Sequence, residues 1–237
     1  MTNKIVPVVQ NTALNPKLWE PSGQLQPRVK KALMKIAEKF VEFLDFEIAI
    51  KDLQITGSQA NYNYTEFSDL DLHIIVDYRE ITCDQPVEDL FDTKRKLWGK
   101  RHDITIRGIP VELYVEDLAK PAVSSAYSLK TDHWVKQPKQ IEKTWDLMDI
   151  EQETLQWLKK IRDAVSSQRI SKLDRVQDQL RAYRQQSLDQ GGEFSDGNLV
   201  YKNLRNLGAL EILMTAKLKL TDNELSLREV DPRQQRS

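Results

Sequence analysis

The sequence holds a single cysteine, Cys83. An intramolecular disulfide is therefore excluded, and no cysteine–histidine spacing suggests zinc. Such usage fits a reducing compartment. No stretch approaches the roughly eighteen consecutive apolar residues of a membrane span. The opening Met-Thr-Asn-Lys-Ile-Val-Pro-Val-Val-Gln also lacks the apolar run of a signal peptide. The expectation is a soluble, cytoplasmic protein with no membrane partner, in which Asn63-Tyr64-Thr65 matches a glycosylation acceptor only formally. Charge of one sign is missing as well: 35 basic residues face 36 acidic ones, a net charge of −1. That balance offers no bulk attraction for DNA, so any basic groove has to be local. There is no internal repeat and no low-complexity tract.

The 237 residues suffice for a sizeable core and suit two small domains. Residues 1–26 are rich in Asn, Gln and Pro around Leu18-Trp19, which reads as an extended arm anchored by Trp19. From Pro27, Val29, Leu33, Ile36, Ala37, Phe40, Val41 and Leu44 recur at helical spacing, a stripe that should cover a sheet. Pro86 to Trp98 reads as a second helix. Asp103–Arg107 and Ile109–Val115 flank Arg107-Gly108 as a tight hairpin, which would complete the sheet by about residue 118.

The chemistry concentrates between Ile55 and Val76. Leu53–Thr56 alternates as a short strand, and Gly57-Ser58 breaks it where a turn can present backbone N–H groups to an anion. Ten residues later, Asp69-Leu-Asp-Leu-His-Ile-Ile-Val76 reads as a strand entering a core. Residues two apart share a strand face, so Asp69 and Asp71 point one way and Leu70, Leu72 and Ile74 the other. Paired carboxylates repel one another unless a cation lies between them. Magnesium suits the position, because it takes hard oxygen ligands and completes its shell with water and phosphate. Gly-Ser alone is common in turns, and an Asp-x-Asp at a strand edge is more often solvated than metal-bound. Their combination inside apolar strands is much harder to obtain by chance. His73, beyond Asp71 on the same face, reads as a hydrogen-bonded structural residue before it reads as a contact to metal-bound water.

Gly57, Ser58, Asp69 and Asp71 at this spacing resemble the signature of the DNA polymerase β-like nucleotidyltransferase superfamily. Where many members carry a second glycine, this chain has Asn61, Tyr62, Asn63 and Tyr64. The resemblance covers about residues 28–118 and implies an α+β fold, a mixed sheet with covering helices (the nucleotidyltransferase fold). A mostly α-helical C-terminal domain follows, giving a division into residues 1–120 and 121–237. It also implies a third acid on a later strand. Glu112, between Val111 and Leu113, is the first choice, with Glu116 and Asp103 as alternatives. The implied activity is two-metal transfer of a nucleoside monophosphate from an NTP, ATP favoured, to an acceptor hydroxyl with release of pyrophosphate. Asp69, Asp71 and Glu112 would hold Mg²⁺, or Mn²⁺ in its place, and Gly57 and Ser58 would seat phosphates. The acceptor is left open among a small molecule, an RNA 3′ end, a protein and a second nucleotide. The alternative is a catalytically silent nucleotide-binding or partner-neutralising protein of the same fold.

Lys120–Pro138 reads as an irregular connection whose aromatics, Tyr127 and Trp134, read as packing anchors before they read as stacking platforms for a base. From Ile141 the chain looks helical nearly to Leu220, with breaks around Ser166-Ser167 and Gln190-Gly191-Gly192. One stripe is Leu155, Leu158, Ile161 and Val165, another Leu173, Val176, Leu180 and Tyr183. The basic residues between them read as a solvated face before they read as a local basic wall beside the active cleft. A last helix, capped by Ser195 or Asp196, should bury Leu199, Leu204, Leu207, Leu210, Ile212 and Leu213. It brings Asn198, Lys202 and Arg205 to one side, and Lys202 and Arg205 are the expected triphosphate contacts.

Overall fold

The structure, a computed structural model, describes residues 10–82, 86–122 and 124–226. Cys83, the first nine residues and residues 227–237 lie outside them; the polar tail expected to fray from residue 221 is helical as far as Leu225. The chain divides into two compact units, Val9–Glu142 and one containing Lys143–Ser237, each with its own hydrophobic cluster.

The first unit is a six-stranded mixed sheet with two helices. Helix α1 (Pro27–Phe43) starts on the proline, whose missing N–H costs nothing in a first turn. It buries Val29, Leu33, Ala37 and Phe40 on one stripe, continued by Leu44, and each fully buried large side chain contributes about 1.5–3 kcal/mol. Strand β1 (Ile50–Thr56) and β2 (Leu70–Val76) pair antiparallel, with Thr56 opposite Asp71. Helix α2 (Val87–Arg101) turns Phe91 and Trp98 inward. Strand β3 is only Thr105–Ile106, and β4 runs from Ile109 to Asp117. The β3–β4 hairpin turns at Arg107 and Gly108, both at positive φ (52° and 79°), as a two-residue turn matching strand twist requires. Strands β2 and β4 pair in parallel, the one parallel contact in the sheet order β3-β4-β2-β1-β5-β6. This pairing needs the long crossover that α2 supplies.

The sheet does not end near residue 118. Strands β5 (Ala126–Ser128) and β6 (His133–Lys136) extend it beyond β1, so residues 121–142 belong with the sheet and not with the helices. Three residues against β1 are too short a run to show alternation, which is why this segment reads as irregular in sequence. Tyr127 and Trp134 are packing residues: Trp19 stacks on Trp134 at 4.8 Å and meets Tyr127 edge-on at 5.1 Å. The arm is anchored there, as its Leu18-Trp19 suggested.

Among the described residues the second unit contains four α-helices: α3 (Leu147–Ser166), α4 (Ile170–Gly191), α5 (Asp196–Asn206) and α6 (Ala209–Leu225). Asp146 caps α3, accepting from the N–H groups of Met148 and Asp149. The single last helix expected from sequence is two, separated by Gly208 at φ 72°, a left-handed position that glycine occupies without strain. The break rotates Ile212 outward to 56 % exposure while Leu199, Leu204 and Leu213 stay buried. In α3, Leu155 is exposed and Trp157 fills the core instead. Among the described residues no helix is long and apolar enough to cross a membrane.

Candidate functional site

Alternation gives the central strands two unlike faces. Ile55, Leu70, Leu72, Ile74 and Leu113 are buried in the hydrophobic cluster. The residues between them, Thr56, Asp71, His73, Glu112, Tyr114 and Glu116, form the polar face. Register decides who sits beside whom: Thr56 pairs with Asp71, Asp71 with Glu112, His73 with Tyr114, and Ile75 with Glu116. Neighbouring strands lie about 4.8 Å apart and register partners project to the same side. Asp71 and Glu112 are therefore neighbouring carboxylates. Asp69 lies one residue before β2, half-buried; the strand is shorter than expected because the loop before it curls on its own hydrogen bonds.

Gly57 packs directly against Asp71. A Cβ placed on it would fall 1.9 Å from Asp71 Oδ2, and its backbone is at φ 69°, ψ −157°. Only glycine tolerates that conformation, and only glycine leaves room for the carboxylate. Ser58–Ala60 forms a single 3₁₀ turn, too short for a helix dipole to matter. Any phosphate seat here rests on the close approach of backbone at Gly57 and on the Ser58 hydroxyl.

Tyr114 organises the centre of the face. Its phenol donates to Glu112 Oε2 at 2.5 Å, its ring stacks on His73 at 4.8 Å, and the Arg95 guanidinium lies 4.8 Å from the ring centroid. Burial, then the bond to Glu112, then the charge of Asp71 push the phenol's pKa up, so it keeps its proton and remains a donor. His73 shares a 2.8 Å hydrogen bond between Nε2 and Thr56 Oγ1, in accord with its structural reading. Its Nδ1 lies 3.0 Å from Glu116 Oε2. That neighbour holds the Glu116 carboxyl below its ordinary range, against burial, which acts the other way.

No family model, curated protein or solved structure matches the chain. The function has to be argued from the geometry.

The three candidates for the third acid part company. Glu112 stands beside Asp71, Glu116 is committed to His73 further along β4, and Asp103 precedes β3 on an exposed segment. Glu112 is exposed, and adjacency to Asp71 in register is what recommends it. Among the described residues no group of three His, Cys, Asp or Glu side chains converges as a metal cage.

Lys202 and Arg205 lie on α5 of the helical unit, and the site above is built without them. Lys202 is 12 % exposed and reaches Glu193 at 3.4 Å. Burial first, and the neighbouring Arg205 and Arg184 guanidiniums, push its pKa down. Arg205 is exposed, and Asn198, expected beside them, is fully buried, bonded to Glu193 O and Arg184.

Sequence reading missed Tyr114 and Gln59. Tyr114 had a signal, since it follows Glu112 at the two-residue period of the same face. Gln59 had none: it is buried, accepts from Asn15 Nδ2 at 2.9 Å, donates to Ser68 O at 3.0 Å, and its carbonyl takes the Trp19 indole N–H at 2.7 Å. These bonds fix the loop between Gly57 and Asp69, and the partner on the arm is 44 residues away.

Proposed function

We propose that the protein is a metal-dependent nucleotidyltransferase with the fold of the DNA polymerase β-like superfamily. It moves a nucleoside monophosphate from an NTP, ATP favoured, to an acceptor hydroxyl in the cytoplasm. One observation carries the reading: Asp71 lies in register between Thr56 and Glu112 and directly against a glycine that has no room for a side chain. A structural carboxylate needs no such cradle. A site where backbone and carboxylate must approach the same phosphate does.

The donor set suits Mg²⁺, with Mn²⁺ able to substitute, because carboxylate oxygens at a strand end are hard ligands and the exposed side leaves space for phosphate and water. Asp69, Asp71 and Glu112 would hold it, and bound metal would supply charge stabilisation at the α-phosphate and a lowered pKa for the acceptor hydroxyl. Gly57 admits the triphosphate close to the backbone and Ser58 donates to one of its oxygens. Tyr114 keeps the Glu112 carboxylate on the polar face. The acceptor oxygen bonds to the α-phosphorus as the bond to pyrophosphate breaks, and the acceptor's proton passes to solvent water.

Tyr114's hold on Glu112, with no three-ligand cage among the described residues, is what the catalytically silent alternative rests on. The deciding experiment incubates the purified protein with each labelled NTP, Mg²⁺ or Mn²⁺ and a cell extract, and follows labelled product and pyrophosphate. Glu112→Gln is expected to lose turnover, and Asp103→Asn to keep it. Turnover by Glu112→Gln at the wild-type rate overturns the third-acid assignment. No turnover by the wild type with any NTP overturns the enzyme reading.

A further inference from the structure

Three side chains from three neighbouring strands form one chain of contacts on the polar face. Glu116 Oε2 of β4 lies 3.0 Å from His73 Nδ1 of β2, and His73 Nε2 lies 2.8 Å from Thr56 Oγ1 of β1. The transfer chemistry above takes no step through any of the three. All of them line a cavity of about 390 Å³, whose lining also includes Leu118, Pro121 and Val135. We infer that Thr56, His73 and Glu116 form a nucleophile–histidine–carboxylate triad that hydrolyses small, neutral carboxylic esters in this cavity.

The order of the contacts carries the inference. In such a triad the carboxylate faces one ring nitrogen and the hydroxyl the other, so that the imidazole is oriented at one end while it accepts a proton at the other. A carboxylate beside Nδ1 favours the tautomer with its proton there, which leaves the Nε2 lone pair for the Thr56 hydroxyl. Strand order makes the histidine the middle member, because β2 pairs with both β1 and β4. A histidine with only a structural role needs its nitrogens satisfied and nothing more. Here the chain ends in a hydroxyl on a cavity wall. The aliphatic part of the lining suits a short acyl group, and the volume lies at the small end of ligand pockets. Gln54 lines the same cavity. Its Nε2 donates one hydrogen to Asp52 Oδ2 at 3.0 Å, and the second hydrogen of the amide serves the ester carbonyl oxygen as it gains negative charge.

The reaction balances with water alone as co-reactant. Thr56 Oγ1 bonds to the carbonyl carbon as its proton passes to His73 Nε2. The ester C–O bond then breaks, the alcohol leaves with that proton, and the acyl group stays on Thr56. Water attacks the acyl carbon and gives a proton to His73 Nε2. The bond to Thr56 breaks, Oγ1 takes the proton back, and the carboxylic acid leaves.

The test uses the full chain with EDTA and no NTP, so its outcome is independent of the nucleotidyltransferase reading. Hydrolysis of p-nitrophenyl acetate, butyrate and octanoate is followed, and the adduct of a fluorophosphonate, which bonds to the nucleophile of such triads, is located by peptide mass spectrometry. The expected result is an adduct on Thr56 and hydrolysis that falls about a hundredfold or more in Thr56→Val and His73→Gln, whereas Thr56→Ser keeps both the adduct and turnover. Glu116 acts through His73, so Glu116→Gln is expected to lower kcat about tenfold or more with little change in KM. Thermal melts check that each variant is folded, and where one is not, the adduct position in the wild type decides. A wild type that hydrolyses none of the esters, or whose adduct is absent or lies on another residue, overturns the inference. So does hydrolysis at the wild-type rate by folded Thr56→Val or His73→Gln, and an unchanged kcat in Glu116→Gln removes the carboxylate from the triad.

Discussion

The two faces of the central strands are made by the same stretches of chain, yet they do opposite work. Leu70, Leu72 and Ile74 point into a closed hydrophobic cluster with Ile55 and Leu113, where neighbours are interchangeable apolar surfaces and area decides the energy. Asp71, His73 and Glu116 alternate with them and point to a face where each group has a specific partner or neighbour in register. On the first face, a substitution acts through volume and cavity. On the second, it acts through one carboxylate or one hydrogen bond and should leave the fold standing. A strand pair with one dry side and one charged side thus separates stability from chemistry within two-residue steps.

The sharpest way to break that separation is a pair of adjacent changes. Asp71→Asn is expected to cut nucleotide transfer by about a hundredfold or more, as loss of a principal electrostatic group does, while urea unfolding shifts little. Leu72→Ala, one residue on, is expected to cost about 2–5 kcal/mol of stability and to leave turnover per folded molecule nearly intact. If urea unfolding of Asp71→Asn showed a loss of that size, the polar face would be structural and the comparison would collapse.

Gly57→Ala tests whether the cradle belongs to the chemistry. The new methyl meets Asp71 Oδ2, and the positive φ adds strain of about 1–3 kcal/mol. Turnover is expected to fall tenfold or more with a KM for NTP that rises, because the carboxylate has to move. Unchanged kinetics would mean that Gly57 serves only the turn.

The smallest effect sharpens the comparison through pH. Glu116 has its folded pKa depressed by His73; such a carboxyl contributes stability that is present above its unfolded pKa, near 4.3, and is lost as pH falls through the folded value. Glu116→Gln is therefore expected to be modestly less stable than wild type at pH 6–7, with the gap closing towards low pH in urea titrations. A gap that persists below the folded pKa would point to packing instead of charge.

Strand alternation, the Gly-Ser spacing, the hairpin at Arg107-Gly108 and the stripe of α1 are local properties, set by backbone geometry and by residues within a turn or two. The sequence by itself therefore determined the α+β class, the break at Gly57, the two-faced β2 and the set of candidate acids. It could not determine which strands are neighbours. The parallel register that puts Glu112 beside Asp71 and Glu116 beside Ile75, and the late strands that prolong the sheet, follow from pairing across tens of residues. So do Gln59's bonds to the arm, the outward turn of Ile212 after Gly208 and the burial of Lys202 against Glu193. Tertiary structure decided these because contact between distant segments depends on how whole elements pack, and no local pattern of residues encodes that partner.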